Sequence, residues 1–320
     1  MRPSVLIPVL VALPFLASGC GKKRSPVEPP PAVQYDLQVR WLGAPPQAST
    51  QAAFSKAVAR IKSIVVGGLT PVIVPGGFNV AECDSTLGGH ADLAEETVAG
   101  LVIYASIESI DGQGGVLGSA GPCLVRDQNR FKPALGIMRL DAADLAAFAT
   151  QDRLDALILH EMLHVIGFGT IWTDNTLLSG DGTDDARFTG TRARLACATV
   201  HGGATACATS VPVHSLDGPG SAYAHWRESV FTNELMTPFL NSGLVPLSEM
   251  SIRSLADIGY VVDIDAAEDY RLQAALVAAR EPGAASVAEP PLALPAPQRP
   301  KFTVSDDGRI LPIRHTRSIE

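Results

Sequence analysis

The stretch Leu157-Ile-Leu-His160-Glu161-Met-Leu-His164-Val-Ile-Gly167-Phe168-Gly169 organises the rest of the chain. It contains His160-Glu161-x-x-His164, and the residues around this motif are almost all apolar, which predicts a buried helix. Residues four positions apart lie on one face of an α-helix, about 6 Å apart along its axis. The two imidazoles can therefore hold one metal ion between them.

Glu161 lies about 100° further round the helix than His160, so it can reach a molecule bound beside the ion without being a ligand. Two nitrogen ligands, a metal-bound water and a carboxylate that takes a proton from the water are the parts of a zinc hydrolase site. The alternative is a chance match with two ordinary core histidines. Titratable side chains are costly in so apolar a helix without a partner such as a metal, so we predict a metal site.

Length, composition and charge describe a globular protein. The chain has 320 residues, enough for one large core or two modest cores. Its hydrophobic fraction is 46%, and its formal net charge of −8 offers no footprint for nucleic acid. We therefore expect no nucleic-acid partner.

Residues 1–20 are typical of an export signal. A basic Arg2 precedes an apolar run that is too short to span a bilayer. The run ends in Leu16-Ala17-Ser18-Gly19-Cys20, which resembles a bacterial lipobox, with cleavage before Cys20 and acylation of that cysteine. An ordinary secretory signal that contains a cysteine is the alternative. We predict a lipoprotein of the bacterial cell envelope that contacts the membrane through Cys20. Gly21 favours the outer membrane, with the protein facing the periplasm or the outside.

The other four cysteines are Cys83, Cys123, Cys197 and Cys207. An even number in an exported chain implies disulfide bonds, and four cysteines allow three pairings. Proximity along the chain favours Cys83–Cys123 and Cys197–Cys207.

Hydrophobic patterns predict an α+β fold. We expect strands at residues 35–42, 97–107, 122–126 and 134–140, and helices at 52–66, 142–148 and 248–258. Asp141 is expected to cap the second of these helices. For the motif helix, Thr150 or Asp152 is the expected N-cap, and Gly167 and Gly169 mark the end.

The predicted domain organisation places a Pro-rich tether at residues 21–33 and one catalytic domain at 34–280. This domain divides into an N-terminal part, 34–169, and a C-terminal part, 170–280, which starts with a long irregular insertion. Residues 281–320 are rich in Pro and Ala and are expected to be disordered. Within the insertion, Asp181-Gly-Thr-Asp184-Asp185 offers oxygen ligands for calcium. It lacks the spacing and closing Glu of a calcium loop, which favours a solvated acidic turn.

A catalytic zinc ion needs a third protein ligand and one open position. Flanking sequence suggests that His90 and His315 are solvated, which leaves His201, His214 and His225. His225 is followed by Trp226, and eight residues further the chain reads Glu234-Leu235-Met236-Thr237-Pro238.

His160-Glu161-x-x-His164-x-x-Gly167-Phe168, a long insertion, His225-Trp226 and then Asn233-Glu234-Leu235-Met236-Thr237-Pro238 together resemble leishmanolysin, a metzincin metalloprotease family. Most metzincins have their third histidine where this chain has Thr170, whereas the leishmanolysin pattern places it beyond an insertion. The resemblance implies a zincin-like fold with a mixed twisted sheet, a central zinc-binding helix and a helical or irregular C-terminal part.

The resemblance also implies a mechanism. One Zn²⁺ would be held by His160, His164 and His225, with Met236 beneath the ligands in a methionine turn. Glu161 would act as general base, and protein or peptide substrates would be hydrolysed. The strand at 134–140 would offer an edge for extended substrate. Two other functions stay open, namely a lipid-anchored binding or adhesion protein with a structural zinc ion and a hydrolase of non-peptide bonds.

Overall fold

The computed structural model describes residues 34–314, apart from 88, 115, 129, 149–150, 216–221, 242, 273–291 and 295. All of them lie within one compact unit, Val33–Glu320. The predicted export signal, Cys20, the tether at 21–33, Thr150 and His315 lie outside the described residues. No helix in the described ranges is both long and apolar enough to cross a membrane.

The α+β prediction is confirmed. The helices are α1 (Ala48–Ile64), α2 (Ala142–Ala147), α3 (Gln151–Val165), α4 (Thr191–Thr199), α5 (Glu228–Phe231) and α6 (Glu249–Ile258). The strands of the N-terminal half are β1 (Leu37–Trp41), β2 (Val72–Val74), β3 (Glu96–Val98), β4 (Leu101–Glu108), β5 (Gly118–Arg126) and β6 (Pro133–Asp141). Those of the C-terminal half are β7 (Leu178–Ser179), β8 (Arg187–Phe188), β9 (Val211–Pro212), β10 (Phe239–Leu240), β11 (Leu292–Ala293), β12 (Ala296–Pro297), β13 (Phe302–Val304) and β14 (Ile310–Pro312).

A mixed sheet forms the centre of the fold, in the order β1-β4-β6-β5-β13-β14. Strands β1, β4 and β6 are parallel to one another, and β5 is antiparallel to β6. Strand β4 is buried on both faces: Leu101 and Ile103 join the apolar cluster on the helix side, whereas Val102 and Tyr104 join a second cluster on the opposite side. This explains why β4 has a continuous apolar sequence instead of an alternating one. The predicted strand at 97–107 is in fact two strands, β3 and β4.

Helix α3, which carries the motif, packs across β5 and β6 and against α1. It approaches β6 so closely that a Cβ on Gly136 would lie 2.1 Å from Cγ1 of Val165. Gly167 turns the chain after the helix with a φ of 112°, as the sequence predicts. Of the two expected N-caps of this helix, Asp152 lies inside α3 and is therefore wrong, whereas Thr150 is outside the described residues.

The C-terminal half is more regular than the sequence predicted. Residues 170–222 were expected to be irregular, but they contain α4 and the strands β7, β8 and β9, which form a small antiparallel sheet. A disulfide bond joins Cys197 of α4 to Cys207, and another joins Cys83 to Cys123. Both predicted pairings are therefore present. The predicted helix at 248–258 is present as α6, with Ser248 as its N-cap and Gly259 as its C-cap.

Two further predictions are wrong. Residues 292–314 were expected to belong to a disordered tail, but they form β11, β12, β13 and β14, because their backbone groups pair with β10 and with the edge of β5. The strand predicted at 134–140 is not an edge, since β6 lies between β4 and β5. Strand β5 lies beyond β6 and pairs on its other side with β12 and β13, so that β1 and β14 are the outer strands of the sheet.

Asp141 connects the end of β6 with the start of α2. Its Oδ1 accepts hydrogen bonds from the backbone N–H groups of Ala143 and Asp144, so it is the predicted N-cap. Its Oδ2 accepts N–H bonds from Ile110 at 2.6 Å and Asp111 at 3.1 Å. Burial alone would raise the pKa of Asp141, but these hydrogen bonds lower it to about 2.

This pKa predicts a pH-dependent contribution to stability. A carboxyl group whose folded-state pKa is about 2, below the ordinary value of 3.8, stabilises the fold above about pH 4 and loses this effect as the pH falls towards 2. We expect the Asp141→Asn substitution to lower the free energy of unfolding more at pH 6 than at pH 3. Urea unfolding of metal-free protein at both pH values measures the difference. An equal loss at both pH values would contradict the assignment.

Candidate metal centre

Three buried imidazoles converge at the centre of the fold. His160 and His164 lie on one face of α3, and His225 approaches from the C-terminal half. The Nε2 atoms of His160 and His164 are 2.9 Å apart, and Nε2 of His225 lies 3.2 Å and 3.0 Å from them. Within the described residues, this is the cluster of His, Cys, Asp or Glu side chains that could hold a metal ion.

The ring orientation of the two helix histidines is set by backbone carbonyl groups. Nδ1 of His160 donates to the carbonyl oxygen of Leu235 at 2.7 Å, and Nδ1 of His164 donates to that of Phe168 at 2.9 Å. These bonds place the proton on Nδ1 and leave the Nε2 lone pair directed at the centre. Burial, followed by the neighbouring His225, lowers the pKa of His160 well below its ordinary value; burial and His160 do the same for His164.

The cluster has the donor chemistry of a zinc site. Neutral imidazole nitrogens are common zinc ligands, with Zn–N distances of about 2.0–2.1 Å, and Nε2 atoms about 3 Å apart can all reach one such ion. Without an ion, three lone pairs would face each other inside the protein. The residues present therefore fit a single metal ion with three protein ligands.

Glu161 follows His160 in α3. It is fully buried, and neither of its carboxylate oxygens has a hydrogen-bond partner among the described residues. Burial raises the pKa of Glu161 well above its ordinary value. A carboxylate without a partner is costly inside a protein, whereas a cation nearby favours the ionised form. The motif helix thus carries a buried carboxyl group whose hydrogen-bonding capacity is unused by the described residues.

The turn Glu234–Thr237 links the ligands from the two halves of the fold. The carbonyl oxygen of Leu235 accepts the hydrogen bond of His160, and that of Met236 accepts an N–H bond from Trp226, the residue after His225. Met236 itself is fully buried. One turn therefore fixes His160 and His225 relative to each other.

A buried carboxylate stabilises this turn. Oε2 of Glu234 accepts the N–H of Met236 at 2.6 Å, and Oε1 accepts the Ser248 N–H at 3.1 Å, the Ser248 hydroxyl at 2.6 Å and the Ser251 hydroxyl. The indole N–H of Trp226 donates to the same Ser251 hydroxyl at 2.8 Å. Burial raises the pKa of Glu234, although these hydrogen bonds favour its ionised form. The network joins α6, the turn and Trp226, the residue after His225.

Packing around Trp226 holds His225 in place. The Trp226 ring contacts Phe168, Trp172, Phe188 and Phe231 in a buried aromatic cluster. On the other side, Gly169 lies so close to the chain before His225 that a Cβ on it would be 2.1 Å from the carbonyl oxygen of Ala224. Gly169 is therefore needed for the third histidine to approach α3.

The other candidate ligands lie elsewhere. Both ring nitrogens of His201 are engaged, Nδ1 with the Tyr270 carbonyl at 2.8 Å and Nε2 with the Met250 N–H at 3.1 Å. His214 and His90 are not members of the cluster. In the acidic turn considered for calcium, Asp185 forms ion pairs with Arg187 and Arg227. Arg227, followed by Arg187, lowers the pKa of Asp185.

The sequence did not identify the role of Glu234, Ser248 and Ser251. A Glu two residues before the methionine was visible, and Ser248-x-x-Ser251 resembles the start of a helix. Their convergence on one carboxylate depends on how α6 packs, which no local pattern encodes.

Comparison with models of protein families identifies a relationship for this chain. A family model described as leishmanolysin matches residues 90–276, more than half of the chain, and this range includes α3, His225 and the turn Glu234–Thr237. A search of curated proteins finds no match.

The network around the turn predicts how metal affinity responds to substitution. We expect Glu234→Gln to weaken zinc binding by roughly tenfold, because an amide cannot accept all the hydrogen bonds that hold the turn and thereby His160 and His225. Competition with a chromophoric chelator measures the affinity. Glu249→Gln on the same segment, which removes an ion pair with Arg253, is the matched control and should leave it unchanged. Equal affinities for both variants would show that Glu234 does not position the ligands.

Proposed function

Because the chain belongs to the leishmanolysin family of metallopeptidases, we propose that it is a zinc endopeptidase that cleaves peptide bonds within proteins or peptides. The observation that carries this proposal is the combination of three convergent imidazoles with a buried carboxylate that has no hydrogen-bond partner in the described part of the chain. A site that held zinc only for stability would have no use for such a carboxylate, since structural zinc sites are closed by four protein ligands.

The positions of the residues support a specific catalytic role for each of them. His160, His164 and His225 would hold one Zn²⁺ through Nε2. When bound, the ion would lower the pKa of water towards about 7 and polarise the scissile carbonyl group. Glu161 would take a proton on a carboxylate oxygen during attack and deliver it to the leaving amine. The carbonyl groups of Leu235 and Phe168 would keep the ligand rings in the productive orientation.

We also propose a metzincin type of arrangement, in which Met236 forms an apolar floor below the ligands. Its burial and its position in the turn that joins His160 to His225 support this role. The proposed catalytic domain has an N-terminal part, residues 34–169, that supplies the sheet and α3, and a C-terminal part from residue 170 that supplies His225. We propose no calcium site.

For localisation, we propose that the protein is a lipoprotein of the bacterial cell envelope, anchored through Cys20 in the outer membrane. The lipobox-like Leu16-Ala17-Ser18-Gly19-Cys20 supports it. Two disulfide bonds in the folded domain are also typical of an oxidising compartment.

The central test of the function is the Glu161→Gln variant. It keeps the shape of the side chain but removes the base, so hydrolysis of a quenched fluorescent peptide should fall by about 10²–10⁴-fold or more. Zinc content, measured by atomic emission, should stay at one ion per chain. If the wild type holds zinc without cleaving any peptide or denatured protein, a binding protein with a structural metal would replace the proposal. Unchanged hydrolysis by the variant would exclude Glu161 as the base.

The anchor is tested separately. Cells that express the full chain and grow with labelled palmitate should incorporate label into the protein, and Cys20→Ser should abolish incorporation because it removes the acylated thiol. A chain that carries Cys20 but takes up no label would contradict the lipoprotein assignment. Fractionation of the envelope then distinguishes the outer membrane from the inner one.

A further inference from the structure

The metal centre is closed in this structure. His160, Glu161, His164 and His225 each have 0% of their surface exposed. A peptide bond must reach these side chains to be cleaved, so part of the surrounding chain has to move before catalysis. The question is which segment covers the centre.

Two stretches of backbone flank α3. One is β5, which packs against α3 and whose partner β6 occupies only one of its sides. The other is β10, which begins two residues after Thr237 and also contacts α3. Each of these two strands has one side whose backbone hydrogen-bonding groups pair with no described strand that precedes residue 292. An extended peptide lying between them would pair with both, as in β-strand addition.

Residues 292–294 and 296–304, here called the closing segment, occupy this groove. Its β11 pairs antiparallel with β10, with Ala293 opposite Phe239. Its β12 and β13 then pair in parallel with β5, with Pro297 opposite Ala120 and Phe302 opposite Leu124. The segment thus crosses from one flank of α3 to the other, and β12 lies against α3.

The composition of the closing segment suits this position. Pro297 and Pro300 restrict the backbone and remove two N–H donors. Three N–H groups that remain between and beside the prolines are directed at the groove: Leu294 donates to the Pro238 carbonyl at 3.1 Å, Gln298 to Ala120 at 2.7 Å and Lys301 to Cys123 at 3.0 Å.

The closing segment also packs closely against the residues around it. Leu294 is 6% exposed and belongs to the apolar cluster that includes Leu157 and Ile158 of α3. On the other flank, β5 has a glycine where the closing segment comes nearest, because a Cβ on Gly121 would lie 2.2 Å from the carbonyl oxygen of Gln298. The groove and the segment are complementary at both ends.

We propose that the closing segment is a built-in inhibitor that fills the groove in which extended substrate pairs, so that the peptidase is active only when the segment has left it. The inference rests on the proposed function, since the groove serves catalysis only if the centre cleaves peptides. Strands β11 and β12 have two residues each, whereas β13 is held on both sides by β5 and β14. The part that contacts α3 and β10 is therefore the part held by the shortest pairings.

The test compares three proteins that all lack the predicted export signal, residues 1–20. The first is otherwise complete, the second ends at Glu289, and the third is the otherwise complete chain with the double substitution Gln298→Pro/Lys301→Pro. The double variant removes two of the three N–H donors, whereas Gln298→Ala/Lys301→Ala keeps them and is the matched control. Two quantities are measured, the rate at which excess chelator removes zinc and kcat/KM for a quenched fluorescent peptide. We expect both to rise by about tenfold or more in the truncated chain and the proline variant, and to stay unchanged in the alanine variant.

A binding experiment needs no turnover. A fluorescent peptide with the sequence of residues 290–314 is titrated into the truncated chain that also carries Glu161→Gln. Saturable binding that restores slow zinc removal supports the proposal, and so does competitive inhibition of the active truncated chain by the unlabelled peptide.

The outcomes separate the two hypotheses. Equal zinc removal and equal hydrolysis in all chains, with no peptide binding, would overturn the inhibitor while leaving the peptidase in place. Faster zinc removal and peptide binding without hydrolysis by any chain would support the closing segment and overturn the proposed endopeptidase. If the truncated chain fails to fold, as judged by circular dichroism, zinc removal from the proline variant decides the matter.

Discussion

The fold depends on bringing three imidazole nitrogens to within about 3 Å of one another inside an apolar core. Two of them come from one helix and need only the four-residue spacing of His160 and His164. The third comes from a distant part of the chain, and its position is set by the turn Glu234–Thr237. Leu235 holds the ring of His160, and Met236 holds the backbone beside His225. Buried Glu234 in turn stabilises the turn through α6. Loss of any of these contacts would separate the ligands that the two halves supply.

Local sequence predicted those features that depend on local geometry. The motif helix, the capping of α2 by Asp141 and the turn at Gly167 after α3 follow from residue spacing and from glycine or capping residues, and all are present. Proximity along the chain also gave both disulfide pairs. His225 was singled out through a family resemblance, because its neighbours alone could not distinguish it from His201 or His214. The two ring nitrogens of His201 are engaged in bonds with Tyr270 and Met250, which only the tertiary structure reveals.

The incorrect predictions about strands share one cause, which is that strand pairing depends on segments distant in the sequence. Proline-rich composition suggested that residues 292–314 have no structure, but backbone pairing needs few side chains, and the edge of β5 provides the partners. The strand at 134–140 was taken for an edge because the sequence does not encode strand order, and β5 follows β4 in the chain but lies beyond β6. Short strands of two residues, such as β7, β8 and β9, are likewise invisible to periodicity. The closed metal centre and the strand that crosses its groove result from contacts between segments that are distant in the sequence, so local patterns cannot predict them.

The most direct test of the account is a crystal structure of the zinc-loaded protein with anomalous diffraction recorded on both sides of the zinc absorption edge. The account predicts a single strong anomalous peak about 2.0–2.1 Å from Nε2 of His160, His164 and His225, with the fourth position not taken by a protein side chain. A peak that lies beside His201 or His214, or an ion closed by a fourth protein ligand such as Glu161, would contradict it.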